Sequence, residues 1–278
     1  IDLKKQSFNS REIVGREISE CGRYLIAKML VEQGIATADP LSSENPLIFS
    51  VGPFAGTNFS NANRLSVGCK SPLTGGVKEA NTGGTFGFAM GQLQIAGLVF
   101  CDVSDEWTVI RITKDGKISF DSATQYLGLG NIECAKKLHL AYGDKTSLAI
   151  CGPVGEYCGL MAGITFSDTD NRPSRLAARG GVGAVMGAKR IKAVVIDKDR
   201  MPPVNDRKKL MGAIKEYGNK LGESAPVQTL RTTGTAMMAD ITNHIGAMPT
   251  NNFSSGHQSL DENNSFRMGG DFIRELNS

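Results

Sequence analysis

The residues with the greatest chemical reach in this 278-residue chain are arginines set among glycines. Three glycine-rich segments stand out, 52–76 (GPFAGTNFSNANRLSVGCKSPLTGG) and 172–193 (RPSRLAARGGVGAVMGAKRIKA) with arginines, and 79–91 (EANTGGTFGFAMG) with polar residues and no arginine. Glycine lets neighbouring backbone N–H groups turn toward one anion, and a guanidinium grips phosphate oxygens in pairs. Arg64, Arg172, Arg175, Arg179 and Lys189 therefore suggest a phosphate-bearing ligand, against the plainer alternative of tight turns beside a solvated basic surface. The run 179–187 keeps only a loose dinucleotide-binding rhythm. Gly181, Gly183 and Gly187 leave one residue too many in the second gap, and no clear βαβ strand precedes them, so a nucleotide site is poorly supported.

Other reactive groups are sparse. His139 falls mid-helix and His244 at a helix end, where a cation suits the dipole; with His257 they are scattered and read as structural. No G-x-S-x-G, H-E-x-x-H or Walker pattern occurs. The cysteines, at 21, 69, 101, 134, 151 and 158, contain no C-x-x-C pair, which argues against a closed zinc site or a dithiol motif. Several lie in apolar runs and read as buried reduced thiols, in keeping with a cytoplasmic protein.

The elements that must position these residues follow from periodicity. Residues 11–33 carry Leu25 with Met29 and Ile26 with Leu30 at i,i+4, which predicts an amphipathic helix stopped at Gly34. A turn-rich connector (39–46) leads to a buried strand at 47–52, then to strands broken by loops across 52–91 and a strand at 95–103. Residues 107–120 alternate as a hairpin around Asp115-Gly116. A helix is predicted over 131–142, capped by Asn131 and ended by Gly143, with further strands at 146–152, 159–166 and 192–197. Beyond 200 the texture becomes helical. Leu210, Ile214, Tyr217 and Leu221 share one face of a helix opened by Asn205 or Asp206, and a second helix covers 235–245. The reading is a glycine-rich β-dominated unit over 1–200 and a helical unit over 201–278. A formal net charge of +3 is too small to argue for nucleic acid or a membrane surface. The excess of glycine, 33 residues, implies many positive-φ or close-approach positions.

Taken together, six ordered motifs resemble the N-terminal domain of the aldehyde:ferredoxin oxidoreductase family of tungsten-pterin enzymes. They are 39–57, KSPLTGG (70–76), ANTGGTFG (80–87), CGPVGEYCG (151–159), RGGVGAVMGAKRIKAVVI (179–196) and GAMPTNNFSSG (246–256). The resemblance implies an α+β fold: a two-sheet β-saddle with flanking helices, clipped at its N-terminal edge, followed by the start of a helical second domain. It implies a tungsten (or molybdenum) bis-molybdopterin cofactor, with Mg²⁺ bridging the pterin phosphates. Arg64 matches the arginine between the pterin and a [4Fe–4S] cluster. Asn81 and Gly83 match pterin-binding positions, and Arg175, Leu176, Ala178 and Arg179 match a second pterin-contacting run. Asn81 and Leu176 match the carbonyl donors to Mg²⁺, and Leu176 and Ala178 stand where the family usually has smaller residues. The cluster cysteines of the family, C-x-x-C-x-x-x-C, would fall beyond the last residue here, so the resemblance places them outside the chain.

The implied activity is oxidation of aldehydes to carboxylic acids with ferredoxin, or an electron-transfer subunit, accepting the electrons. The implied partners also include the C-terminal domains and a second copy of the chain. Without those domains the chain alone is expected to be inactive. The alternatives are a cofactor-free structural or interaction module on the same saddle, and a relative acting on aromatic thioesters.

Overall fold

A computed structural model describes residues 1–262 and 266–277. Four strands, β1 (Leu47–Val51), β2 (Leu65–Lys70), β3 (Val77–Thr82) and β4 (Gly97–Phe100), form an antiparallel sheet in the order β3-β2-β1-β4. Six more, β5 (Thr108–Ile112), β6 (Ile118–Ser122), β7 (Thr146–Cys151), β8 (Ile164–Phe166), β9 (Arg175–Ala177) and β10 (Ile191–Asp197), form a mixed sheet in the order β6-β5-β10-β7-β8-β9. Only β5 and β10 run parallel. The α+β two-sheet architecture expected from the sequence is therefore present.

The two sheets share one apolar core because their strands are Val/Ile/Leu/Phe-rich and the inward side chains have nowhere else to go. Phe49 of β1 meets Phe86, Phe100 and Phe166 edge-on, with ring centroids 5.8, 5.3 and 5.7 Å apart. This geometry suits the aromatic quadrupole, and Phe166 belongs to the other sheet, so the ring cluster ties the sheets together.

Helices flank the sheets. The helix expected over 11–33 is two pieces, α1 (Arg16–Ser19) and α2 (Arg23–Glu32). Gly22 between them has φ 74°, a left-handed value that no helix interior tolerates. In α2, Ile26 and Leu30 are buried against Ile48 of β1. Two short helices were not read from the sequence: α3 (Phe86–Gln92) and, further on, a second glycine-rich turn at 182–188. The helix at 131–142 forms as α4 (Asn131–Tyr142), but Gly130 is its N-cap and no side chain caps it. Asn131 instead donates to Thr165 Oγ1 at 2.9 Å, tying the helix to β8. Helix α5 (Pro153–Glu156) follows β7, and of the strand expected over 159–166 only Ile164–Phe166 pairs. Then come α6 (Val182–Ala188) and β10.

Packing divides the chain into units Ile1–Asn205 and Asp206–Ser278. The second contains α7 (Arg207–Glu223), α8 (Ala225–Thr233), α9 (Met237–His244) and α10 (Gly270–Leu276). Asp206 caps α7, accepting from Lys209 N at 2.8 Å. No residue of α7, α8 or α9 is buried. No helix among the described residues is long and apolar enough to cross a membrane.

Glycines set how closely α5 and α6 approach. A Cβ on Gly187 would fall 1.8 Å from the Gly155 carbonyl oxygen, whereas one on Gly218 of α7 would meet open space. Gly187→Ala is therefore expected to lose about 3 kcal/mol of stability by overpacking. Gly218→Ala is expected to gain about 0.5–1 kcal/mol by restricting the unfolded chain. Urea denaturation of the two variants beside the parent checks both signs.

Candidate functional site

Strands β3 and β9 are the edge strands of their own sheets, and they lie against one another. An edge strand leaves alternate carbonyls and N–H groups off the ladder, so this junction offers backbone donors and acceptors on two sides. Along β3, Ala80 and Thr82 point into the core, which leaves Val77, Glu79 and Asn81 on the opposite face.

Arg64 arrives at this junction from the loop before β2. The loop is held from within: Gly56 N donates to Asn63 Oδ1 (2.8 Å), Asn63 Nδ2 donates to Thr57 O (2.9 Å), and Thr57 Oγ1 donates to Phe54 O (2.7 Å). The exposed Arg64 then donates through Nε to Asn81 Oδ1. Asn81 Nδ2 in turn donates to Ser66 Oγ and Glu79 Oε1, both at 3.4 Å. Gly83 follows; the nearest neighbour to a Cβ there would be Arg64 Nη1, at 3.8 Å. Gly84 has φ 101°, and a Cβ there would meet Ser167 O at 2.4 Å and Arg175 Cγ at 3.1 Å. Only glycine fits both that angle and that contact. Its successor Thr85 donates its N–H to Ser167 O at 2.9 Å, a backbone bond joining the end of β3 to the other sheet.

On the facing edge, Arg175, Leu176, Ala178 and Arg179 are exposed and Ala177 is buried. Leu176 lies over Gly163, whose added Cβ would be 3.2 Å from Leu176 Cδ1. Gly180 and Gly181, at φ 77° and 74°, turn the chain into α6. The Gly180 carbonyl accepts from Ser71 Oγ at 2.7 Å, and a Cβ on Gly180 would strike Lys78 Cγ. The structure thus gathers Arg64, Asn81 and Gly83 with the 175–179 run at one junction, with Arg64 and Arg175 flanking the Gly83–Gly84 pair. Asn81 and Leu176 both lie on edge strands, where carbonyls off the ladder could serve a cation.

The charge balance suits a polyanion. Among the described residues, the guanidinium groups of Arg64, Arg175 and Arg179 form no ion pair with a carboxylate. Lys189, in contrast, does not belong here. It is fully buried, with Nζ donating to Asp102 O at 2.9 Å, and burial lowers its pKa to about 8. Arg172 sits in a turn that Asp168 organises by accepting from the N–H groups of Asp170 and Arg172 and from Ser174 Oγ. His139 is nearly buried, with Nδ1 facing Thr146 Oγ1 at 3.3 Å, a structural place. All six cysteines are free; burial pushes Cys69 and Cys151 up to about 12 and Cys134 to about 11, so these thiols are inert. No group of His, Cys, Asp and Glu among the described residues could hold a metal ion. Gly180 and Gly181 form the tight turn beside close packing that the sequence allowed; sequence reasoning missed Gly84, Ser66 and Glu79, because what singles them out is a partner distant in sequence or across a ladder.

Comparison with known proteins completes the description. The family model described as "Aldehyde ferredoxin oxidoreductase, N-terminal domain" matches residues 1–198. The chain is 36% identical over 239 residues to a tungsten-containing aldehyde ferredoxin oxidoreductase of Pyrococcus furiosus, a match covering 84% of this chain and 38% of that protein. With the protein of the same description from Pyrococcus abyssi it shares 37% over 259 residues, covering 91% and 41%. Among solved structures, it is similar to the active site complex BamBC of benzoyl coenzyme A reductase in complex with 1,5-dienoyl-CoA. The TM-score is 0.74 at 28% identity, covering 80% of this chain and 34% of that one. The chain thus spans about two fifths of the length of the curated relatives it matches.

Lys189 generates a pH dependence. Its folded pKa of about 8 lies below the ordinary value of 10.5. Across that window the unfolded chain holds a proton that the folded chain has released, so stability rises with pH from about 8 to about 10.5. Lys189→Met is expected to abolish this rise relative to the parent, as measured by urea unfolding at steps across the window.

Proposed function

The chain belongs to the aldehyde ferredoxin oxidoreductase family, and from that premise we propose that it is the part of a tungsten oxidoreductase that cradles a bis-pterin cofactor. The observation that carries this reading is the junction of β3 and β9. Arg64 and Arg175 flank the Gly83–Gly84 pair there, the exposed Arg179 follows β9, and among the described residues none of the three has a carboxylate partner. Two pterin phosphates bring several negative charges together, and forks of this kind neutralise them with directed hydrogen bonds.

The proposed division of labour follows the geometry. Arg175 and Arg179 hold phosphate oxygens from the β9 side. Arg64, fixed through Nε to Asn81, turns its remaining N–H groups outward over Gly83. Gly83 supplies close backbone approach, and the Leu176 and Ala178 backbone lines the β9 wall. The carbonyls of Asn81 and Leu176 are the candidates for Mg²⁺ between the phosphates, since a hard cation takes oxygen donors. The cofactor, as tungsten or molybdenum dithiolene, would supply the two-electron chemistry that converts an aldehyde and water to a carboxylate, with protons released and electrons passed on. Ferredoxin or an electron-transfer subunit would receive those electrons through a [4Fe–4S] cluster.

A second reading is favoured by the solved structure of a benzoyl coenzyme A reductase complex, which suggests reduction of an aromatic thioester on the same cradle. The aldehyde reading takes precedence because the relatives of that description are more similar, at 36% and 37% identity against 28%.

Tungsten by mass spectrometry and pterin by fluorescence of its oxidised form, on protein purified without oxygen, test the cradle. Arg179→Ala is expected to lower both contents together, in proportion to an affinity loss of about tenfold or more for one charge-assisted contact. Unchanged tungsten and pterin occupancy would overturn the assignment of Arg179.

A further inference from the structure

The amide of Asn81 has one orientation in which every neighbour is satisfied. Its Oδ1 accepts from Arg64 Nε, and its Nδ2 donates to Glu79 Oε1 and Ser66 Oγ. Turned over, the amide would set Nδ2 against the Arg64 N–H and Oδ1 against the Glu79 carboxylate: donor on donor and acceptor on acceptor. The Ser66 hydroxyl can both donate and accept, so it does not choose between the two. The carboxylate of Glu79 accepts only, and does.

Glu79 is placed for this by strand geometry. It lies two residues before Asn81, on the same face of β3, opposite Gly68 of β2, which sends no side chain toward it. Among the described residues it forms no ion pair, so its charge is not committed to a cation.

We propose that Glu79 is a positioning residue: by fixing the Asn81 amide it holds Arg64 Nε and aims the terminal fork of that arginine over Gly83, toward the anion. This deepens the reading of the site as a cofactor cradle and rests on it for the identity of the anion. The positioning itself stands on the hydrogen bonds alone.

The test has two readouts. Solvent exchange of the Arg64 Nε–H, followed by NMR on arginine-labelled full chain, reports the positioning without any cofactor. Glu79→Ala is expected to speed that exchange about tenfold, the loss of one oriented hydrogen bond. Glu79→Gln, whose amide can donate as well as accept, no longer chooses between the two orientations and is expected to speed exchange as well, by less than Glu79→Ala because an acceptor oxygen is still offered. In an Asn81→Asp background both oxygens accept and one of them faces the Glu79 carboxylate, so Glu79→Ala removes a repulsion and is expected to give no acceleration. Unchanged exchange in Glu79→Ala, or equal acceleration in the Asn81→Asp background, would overturn the proposal.

Pterin content of protein purified without oxygen is the second readout. It is expected to fall in Glu79→Ala, and less in Glu79→Gln, at an unchanged melting temperature. Full occupancy in Glu79→Ala would overturn the link to the ligand. Absence of pterin from the parent protein would instead overturn the cradle reading, and the exchange experiment would still judge the positioning.

Discussion

A single backbone hydrogen bond organises the site: Thr85 N–H to the carbonyl of Ser167, at 2.9 Å, made where two sheets meet edge to edge. It forms only because Gly84 carries φ 101° and leaves room for the Ser167 oxygen. Thr85 Oγ1 reinforces it by pairing with Ser147 Oγ at 2.8 Å. On the far side of the junction the Gly180 carbonyl is held by Ser71 Oγ. With those two fastenings, β3 and β9 face one another at a set distance, and the residues that follow from each, Gly83 on one side and 178–179 on the other, share a surface. Neither sheet alone presents that surface.

Cations in this fold are sorted by chemistry. The lysines that lie deepest are spent on backbone carbonyls. Lys70 Nζ donates to Ala36 O (2.7 Å) and Ala38 O (2.6 Å), Lys189 to Asp102 O, and Lys192 to Cys151 O (2.8 Å) and Glu156 Oε1 (2.5 Å). A compact ammonium with three donors can satisfy itself on carbonyls converging from separate segments, which a buried charge requires. Glu156 also accepts from Gly128 N, so the Lys192 pair pins the loop before α4. The arginines of the junction stay outside and uncommitted, as suits planar forks meant for an external partner. The deep lysines staple the scaffold, as Arg111 does through Asp197, whereas Arg64, Arg175 and Arg179 stay free of carboxylates.

The strands were legible because two-residue alternation and Val/Ile-rich runs are written locally, as in the 107–120 hairpin and the 192–197 strand. The helix from 207 was legible for the same reason, since its cap Asp206 and its apolar stripe both lie in sequence. Helices α3 and α6 were not. Each has a short apolar set, Phe86, Ala89 and Met90 or Val182, Val185 and Met186, but Gly87, Gly91, Gly183 and Gly187 interrupt it where the backbones of Ala55, Gly155 and Gly163 press in, and glycine argues against a helix. Asn131 looked like a cap because its type is right; its tertiary bond to Thr165 takes the side chain elsewhere. In the candidate site, arginine and glycine density pointed to segments that the fold brings to one junction, 52–76, 79–91 and 175–179. It also pointed to Lys189, whose place in a basic run hid that the end of α6 faces the interior. Glu79 was invisible because its proposed role passes through an amide two residues away and an arginine in the loop before β2.

Under the cradle reading, cofactor loading and folding are linked. Arg64 and Arg175 flank the same glycine pair whose backbone links the sheets, and neither has a carboxylate to balance it. Like charges held together at the fastening point oppose it, and an anion bound between them removes that opposition. A ligand that binds only the assembled junction also stabilises the folded state by mass action. Under the cradle reading the phosphates of the pterin therefore act twice, as the handle by which the cofactor is gripped and as the counter-charge that lets the two sheet edges stay together. The ring cluster around Phe49 gives the β unit a core of its own, so that counter-charge is needed at the junction and not in the scaffold beneath it.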